Sequence, residues 1–258
     1  MTKDYTQFVN HIHTRTGIDL SLYKEAQMKR RLTSLRDKRG FPDFNTYLLS
    51  MSKNPKLLEE LLDRMTINVS EFYRNKSRFD VLEKKVLPYL LKRNKRLKIW
   101  SAACSTGEEP YTLAMILSQY MPLSKIDIIA TDLDEKALDQ AETGIYPDRA
   151  LSELSPSLKQ RFFQQEGTFY RLKDELKSCV TFKKHNLLAD RYEVNCDLVV
   201  CRNVLIYFTE DAKNSIYLNI SRSLNPGGIL FVGSTEQIFS PNKFDFEVFD
   251  TFFYKKVV

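Results

Sequence analysis

The chain has 258 residues, 43% hydrophobic and 28% charged, with a net charge of +6 at pH 7. It can bury a full core in one large domain or two unequal ones. No apolar run approaches the ~18 residues of a membrane span, and none follows Met1 closely enough for a secretory signal, so a cytoplasmic protein is expected.

The cysteines at 104, 179, 196 and 201 show no CxxC spacing, and His11, His13 and His185 are scattered. Reduced thiols and no bound metal are the expectation. His11 and His13 lie two apart on a helical pattern and point to different faces.

Charge is unevenly spread. Residues 1–41 hold nine Lys/Arg against four Asp/Glu, nearly the whole excess. Residues 22–39 read as one basic helix, with Met28, Leu32 and Leu35 at i, i+4 and i+7 forming a buried stripe. Lys29 and Arg36 flank one edge of that stripe, Arg31 and Lys38 the other. Gly40 stops the helix and Pro42 lies just beyond. Such a face suits an acidic partner or simply solvent. It lacks the interleaved aromatics that stacking on single-stranded nucleic acid requires.

Short helices are predicted over 44–52 and 56–65. The first 65 residues thus carry no strand signal. In the next stretch, Asn68-Val-Ser-Glu-Phe-Tyr-Arg74, the polar side chains at 68, 70 and 74 stand at the junction of the helical unit with the remainder of the chain. Junctions favour ligands, but Asn68 or Ser70 would serve equally as a helix N-cap. A helix over 76–92 leads onward.

The pattern then turns to alternating strands and helices. Leu97, Ile99 and Trp100 mark a short buried strand. It meets a turn of small residues at 101–107, and Glu108 opens a helix whose first turn accommodates Pro110. A second strand at 126–130 ends in Thr131-Asp-Leu-Asp134. Strand, tight turn, helix, with an acidic residue closing the second strand, is how parallel α/β sheets hold nucleotide-like ligands. GxGxxG is missing, so an adenosyl ligand is favoured over a dinucleotide. A helix at 135–143 ends at Gly144. Residues 145–185 break the alternation, with a helix near 155–163 and β-like pieces at 169–172 and 180–182, and read as an inserted subdomain. Alternation resumes with a central strand at 197–201. Arg202-Asn203 stand at its carboxyl end, and Tyr207 precedes a helix capped by Thr209. Asn225-Pro-Gly-Gly228 reads as a turn, 229–232 as a strand, and 246–249 with 251–256 as a closing antiparallel pair.

Five motifs in order resemble the signature set of CheR-type chemotaxis receptor methyltransferases. They are Asn68-Val-Ser-Glu-Phe-Tyr-Arg74, Ser101-Ala-Ala-Cys-Ser-Thr-Gly-Glu-Glu-Pro-Tyr111, Ala130-Thr-Asp-Leu-Asp134, Asn186-Leu-Leu188 and Cys201-Arg-Asn-Val-Leu-Ile-Tyr-Phe208. The resemblance implies an α/β fold: a class I S-adenosylmethionine-dependent methyltransferase (Rossmann-like) sheet with an N-terminal all-helical domain and a small inserted β subdomain. The corresponding limits are 1–70 for the helical domain with its basic helix 22–39, 71–258 for the methyltransferase domain, and about 145–185 for the insertion. The implied activity is protein-glutamate O-methylation on the cytoplasmic helices of chemotaxis receptors, in the adaptation arm of bacterial chemotaxis. S-adenosyl-L-methionine is the implied cofactor and S-adenosyl-L-homocysteine the product. A monomer recruited to receptor arrays, neither membrane-inserted nor bound to nucleic acid, is expected.

The resemblance also implies residue roles. Asn68, Ser70 and Arg74 would approach the cofactor, and Glu109, with or without Glu108, and Asp132 would hold its amino-acid and ribose parts. Asn186 and Leu187 would contact adenine, and Arg202 and Asn203 the methionine end. Tyr207, with Arg74, would serve the chemistry, and Lys29, Arg31, Arg36 and Lys38 would dock the receptor. Ser70 stands where the family commonly has threonine, and the 101–107 turn has a single glycine. Simpler roles stay open: Glu108 and Glu109 suit a helix N-terminus, Asp132 or Asp134 an N-cap, and Tyr207 a core aromatic.

The chemistry needs no catalytic base. A glutamate carboxylate, with a pKa near ~4.3, is already an anion at neutral pH. Attack on a sulfonium methyl cancels charge, so a strong Arg clamp on the nucleophile would favour the ground state. Arg74 or Arg202 is therefore expected to hold the cofactor's carboxylate or frame the pocket, leaving Tyr207 to orient the attacking oxygen. Two alternatives remain: a nucleic-acid methyltransferase, disfavoured because Arg202-Asn-Val-Leu stands where an Asn-Pro-Pro-Tyr-like motif would be, and a non-catalytic S-adenosylmethionine-sensing receptor-binding module.

Overall fold

Buried aromatics at helical spacing build the first of two units in the computed structural model, which describes residues 3–257. This unit runs to Ile67 and also takes in 188–190 and 206–216. Helix α1 (Lys3–Thr16) packs on α3 (Phe44–Lys53), and α2 (Glu25–Lys38) on α4 (Pro55–Met65). Phe8 and Tyr5 meet Phe44 at ring separations of 4.8 and 5.1 Å. Asp43 caps α3 through the Thr46 amide, and Asn54 with Pro55 starts α4.

The apolar stripe of α2 is as read, Met28, Leu32 and Leu35 being buried. Its start is not. The helix begins at Glu25, and Leu20–Leu22 forms a separate 3-10 turn capped by Asp19. Between them Tyr23 is extended and forms a bridge with Phe208. The Lys24 amide donates to the Tyr207 carbonyl, and the Thr209 amide to that of Leu22. Backbone groups bonded to this distant segment are unavailable for a helix, which is why 22–24 drop out of it.

The second unit comprises 68–187, 191–205 and 217–258. Its seven-stranded sheet has five parallel strands: β1 (Ile99–Ala102), β2 (Ile128–Asp132), β6 (Val180–Lys184), β7 (Cys196–Cys201) and β8 (Leu224–Val232). Two antiparallel strands close it, β9 (Phe246–Asp250) and β10 (Phe253–Lys256). The order is β6-β2-β1-β7-β8-β10-β9. Every residue of β1 and β7 is buried, Ser101 and Asp197 included, as their central place in a parallel sheet requires. Strand β8 starts at Leu224, ahead of the expected 229, its register against β7 shifting between Cys196 and Leu198.

Residues 76–93 form one helix, α5 (Lys76–Val81) running into α6 (Leu87–Arg93) through a π turn at Leu82–Val86. Pro88 has no N–H and its ring crowds the preceding turn, so the backbone widens just before it. Helix α7 (Glu108–Leu117) follows β1, and α8 (Glu135–Thr143), capped by Asp134 and ended by Gly144 at φ 69°, follows β2.

A three-stranded sheet, β3 (Ile145–Pro147), β5 (Phe169–Leu172) and β4 (Phe163–Glu166) in that order, forms the insertion. The piece at 180–182, expected within it, belongs to the main sheet as β6, paired in parallel with β2. Local sequence resembles an edge β segment in either place, and only the long-range ladder decides. Among the described residues no helix is long and apolar enough to cross a membrane.

Candidate cofactor site at the strand tips

In the sheet order β1 lies between β2 and β7, so the connections from its neighbourhood run to opposite sides. That switch point is where open α/β sheets take ligands, beyond the strands' carboxyl ends. Residues from each of the five motifs are found there.

The turn after β1 bends through three left-handed residues, Ala103 (φ 59°), Ser105 (φ 49°) and Gly107 (φ 92°). Only one is glycine, and there glycine is required: a Cβ would lie 2.8 Å from that of Ala141. The strain at the other two is held by hydrogen bonds. The Cys104 amide donates to the Thr131 carbonyl at 2.9 Å, and the Ser105 amide to Asp132 Oδ2 at 2.8 Å.

Asp132 is thereby the hub of the β2 tip, since its Oδ1 also accepts from the Asp134 amide at 3.0 Å. Burial pushes its carboxyl above the usual range, and the backbone donors oppose that rise. A carboxylate offers about four acceptor positions, so a ribose diol can be taken in addition.

Asn68 occupies both ends of its amide on protein. Its Oδ1 accepts from the Ser105 hydroxyl at 2.9 Å and its Nδ2 donates to Asp134 at 2.7 Å. It ties the 68–74 segment to both motif turns. Asp134 is at once that partner and the cap of α8.

The two glutamates that open α7 separate by environment. Glu108 is buried and bonded to the Thr106 hydroxyl at 2.7 Å, with Ser70 a further hydrogen-bond partner. Burial raises its carboxyl. Glu109 accepts from the Ser101 hydroxyl at 2.9 Å and pairs with Arg202 at 3.3 Å. Burial raises its carboxyl too, opposed first by the Arg202 charge. Glu109 keeps 14% of its side chain accessible, which Glu108 (4% as a residue) largely lacks, and so is the better placed of the two to meet a ligand ammonium.

Arg202, expected to line the ligand's methionine end or frame the pocket, is buried at the β7 tip. Its side chain is 2% exposed and lies against the rings of Phe79 and Phe231, at 5.0 and 4.6 Å, which themselves meet edge to face. Besides Glu109, it donates to the Arg74 carbonyl at 2.9 Å and to Asn75 Oδ1 at 3.3 Å. Burial lowers its pKa, and the Glu109 charge opposes that. Arg74 is half-buried and closes its own segment by donating to the Val69 carbonyl at 2.7 Å.

On the other flank the His185 amide donates to the Asp132 carbonyl at 2.8 Å. This draws Asn186 and Leu187 beside the β2 tip. Leu187 is buried, and its carbonyl accepts from the Tyr192 hydroxyl at 2.6 Å. Trp100, His185 and Tyr192 pack edge to face beneath.

Asn203, left-handed at φ 61°, follows β7 and is held through its amide by Glu236 at 2.6 Å. Sequence alone does not single out Glu236. Its one sign there is an acidic residue just past an apolar strand, three positions after Gly233.

Tyr207 is not grouped with these residues but with the helical unit, where the Arg31 guanidinium lies 5.6 Å from its ring centroid. Arg31 also donates to the Met65 carbonyl at 2.5 Å. Of the other basic-helix residues, Lys29 lies over Tyr5 and Arg36 over Phe44, the latter paired with its neighbour Asp37. Lys38 is exposed, as is Arg30, a cation missing from the sequence-derived set.

A parallel sheet with its switch point at β1, acidic groups at the β1 and β2 tips and no dinucleotide fingerprint defines a class I S-adenosylmethionine-dependent methyltransferase fold. Comparison with known proteins narrows the class. The family model described as "CheR methyltransferase, SAM binding domain" matches residues 68–253, and "CheR methyltransferase, all-alpha domain" matches 3–66. The chain belongs to the CheR methyltransferase family. A chemotaxis protein methyltransferase of Listeria monocytogenes is 42% identical over 257 residues, covering 99% of this chain and 98% of that one. One of Borreliella burgdorferi is 35% identical, covering 92% and 89%. Among solved structures, PKMT2 of Rickettsia typhi in complex with AdoHcy is similar with a TM-score of 0.35 and 19% identity, over 53% of this chain and 20% of that chain.

Proposed function

We propose that this chain uses S-adenosyl-L-methionine to form methyl esters on glutamate side chains in the cytoplasmic helices of chemotaxis receptors, releasing S-adenosyl-L-homocysteine. The observation that carries the reading is the convergence of Glu109, Asp132 and the Asn186-Leu187 turn at the tips of β1, β2 and β6, in a chain of this family. These groups fit the cofactor by chemistry: a buried carboxylate for an ammonium, a second for a ribose diol, and an amide beside an apolar side chain for an adenine edge and face. Among the described residues no His/Cys/Asp/Glu group has the make-up of a metal site.

When bound, the cofactor supplies an electrophilic methyl group on a sulfonium. The protein's own residues then have positional work. Arg202 and Asn68 hold the segment 68–75 and the two motif turns in register. Arg74 and Ser70 line the approach from that segment, and Asn203 serves the methionine end. Tyr207 donates a hydrogen bond from its uncharged hydroxyl to orient the receptor carboxylate, which is already ionised. A neutral donor suits a reaction in which charge is lost, since a full positive charge would stabilise the reactants more than the transition state. Most of the acceleration then comes from in-line placement.

The basic helix α2, with Lys29, Arg31, Arg36 and Lys38, supplies charge complementary to acidic receptor helices and steers the encounter. The enzyme works as a cytoplasmic monomer recruited to receptor arrays. The test is to incubate it with methyl-labelled S-adenosylmethionine, chemoreceptor-containing membranes and, separately, RNA and DNA. Label in receptor protein is the expected result, and label in nucleic acid alone overturns the proposal.

A further inference from the structure

The tips of β7 and β8 are joined by a single buried carboxylate with no part in the roles above. Glu236 is 5% exposed. Its Oε2 accepts from the amides of Asn203 at 2.6 Å and Gly233 at 2.9 Å, and its Oε1 from the amide of Leu205 at 2.7 Å. Three backbone donors on one carboxylate make a strong, directional clamp, because hydrogen bonds to an ionised acceptor are short and about twice as strong as neutral ones.

The fold is built around that clamp. Asn203 sits at φ 61°, in the left-handed region, and its amide is held there by Glu236. Gly233 has no room for a side chain: a Cβ there would lie 2.4 Å from Glu236 Oε2 and 2.9 Å from the Asn203 amide nitrogen. Glu236 also lies in the electrostatic neighbourhood of Glu109 and Arg202, so its charge reaches the cofactor-binding groups.

We infer that Glu236 is a positioning residue for the cofactor, fixing the left-handed turn at Asn203 in the shape that presents this residue to the methionine end. The inference rests on the reading of these strand tips as the S-adenosylmethionine site. Glu236 does not touch the cofactor; it acts through the backbone of Asn203 and Leu205. Replacing the carboxylate by an amide sets an N–H₂ donor against at least one backbone N–H, and the turn relaxes.

Calorimetric titration with S-adenosylhomocysteine tests this on wild type, Glu236→Gln, Glu236→Asp and Leu224→Ala. Leu224 is buried at the opposite, amino end of β8 and serves as a control for general loss of stability. Glu236→Gln should raise Kd by about tenfold or more, the scale of one lost charge-assisted hydrogen bond. Its receptor KM should stay within about twofold of wild type. Glu236→Asp, which keeps the charge on a shorter stem, should fall between wild type and Gln. It also supplies the reading if the Gln variant does not fold. Leu224→Ala should lower Tm and leave Kd unchanged. Unchanged Kd in both Glu236 variants, or an equal rise in Leu224→Ala, overturns the inference. Absence of binding by wild type instead overturns the assignment of the cofactor site.

Discussion

Arg202→Met removes a guanidinium that is 2% exposed and leaves a side chain of similar reach against Phe79 and Phe231. What it takes away is the partner of Glu109 and the donor to the Arg74 carbonyl and Asn75 Oδ1. Breaking a buried ion pair by deleting one member costs about 3–5 kcal/mol, because the other charge stays buried. At about 2–4 °C per kcal/mol for a chain of this size, Tm should fall by roughly 6–20 °C. Adding Glu109→Gln removes the orphaned charge, and the double variant should regain at least half of the loss. The Arg74 and Asn75 acceptors, at about 1 kcal/mol each, account for what is not regained. Thermal unfolding followed by circular dichroism gives the answer. The two readouts should part company: the double variant recovers stability but not S-adenosylhomocysteine binding, since it lacks the Glu109 carboxylate. An Arg202→Met protein melting with wild type, or a double variant no more stable than the single, refutes the framing role.

The same geometry makes further outcomes measurable. Asp132→Asn should raise the Kd for S-adenosylhomocysteine roughly 10- to 150-fold by calorimetry, the value of hydrogen bonds to a charged acceptor. Tyr207→Phe should lower the receptor kcat/KM roughly 10-fold or more, as loss of a hydrogen bond to a charged acceptor does, with the Kd for S-adenosylhomocysteine unaltered; full turnover would remove Tyr207 from the mechanism. Reversing the exposed charges Arg30 and Lys38 should raise the receptor KM and flatten its salt dependence while sparing cofactor affinity, which titration at two ionic strengths checks. Burial raises the carboxyls of Glu108, Glu109 and Asp132, so in the cofactor-free protein they hold protons more readily than in the unfolded chain. Stability contributed by these groups is therefore greatest below the ordinary carboxylate range and declines as pH rises through the raised values. Cofactor binding needs the ionised forms of Glu109 and Asp132, so its affinity should weaken as pH falls through that window, with proton release on binding measurable by calorimetry in buffers of different ionisation heat.

Local pattern was enough wherever one segment decides its own structure. Leu97, Ile99 and Trp100, followed by small residues and an acidic helix start, read as a strand, a turn and a helix, and fold as such at Ile99–Ala102 and Glu108–Leu117. Gly144 and Asp134 mark the ends of α8 as their chemistry demands. Pattern failed where distant segments decide. Tyr23 and Lys24 look helical, yet their backbone groups are engaged by 207–209. Strand β6 cannot be told from the insertion until its ladder with β2 forms. In the site, the sequence located Arg202 at a strand tip but not the direction of its guanidinium, because Phe79 and Phe231 come from far along the chain. Glu236 is an unremarked loop carboxylate in the sequence, and its three backbone donors come together only in the fold.

The most direct measurement is to map the label on a receptor after incubation with this protein and S-adenosylmethionine, by peptide mass spectrometry before and after mild base. Methyl esters on glutamate side chains of the cytoplasmic helices, removed by base and missing without the enzyme, are the predicted result. A receptor left unmodified, or a methyl group that withstands base, contradicts it.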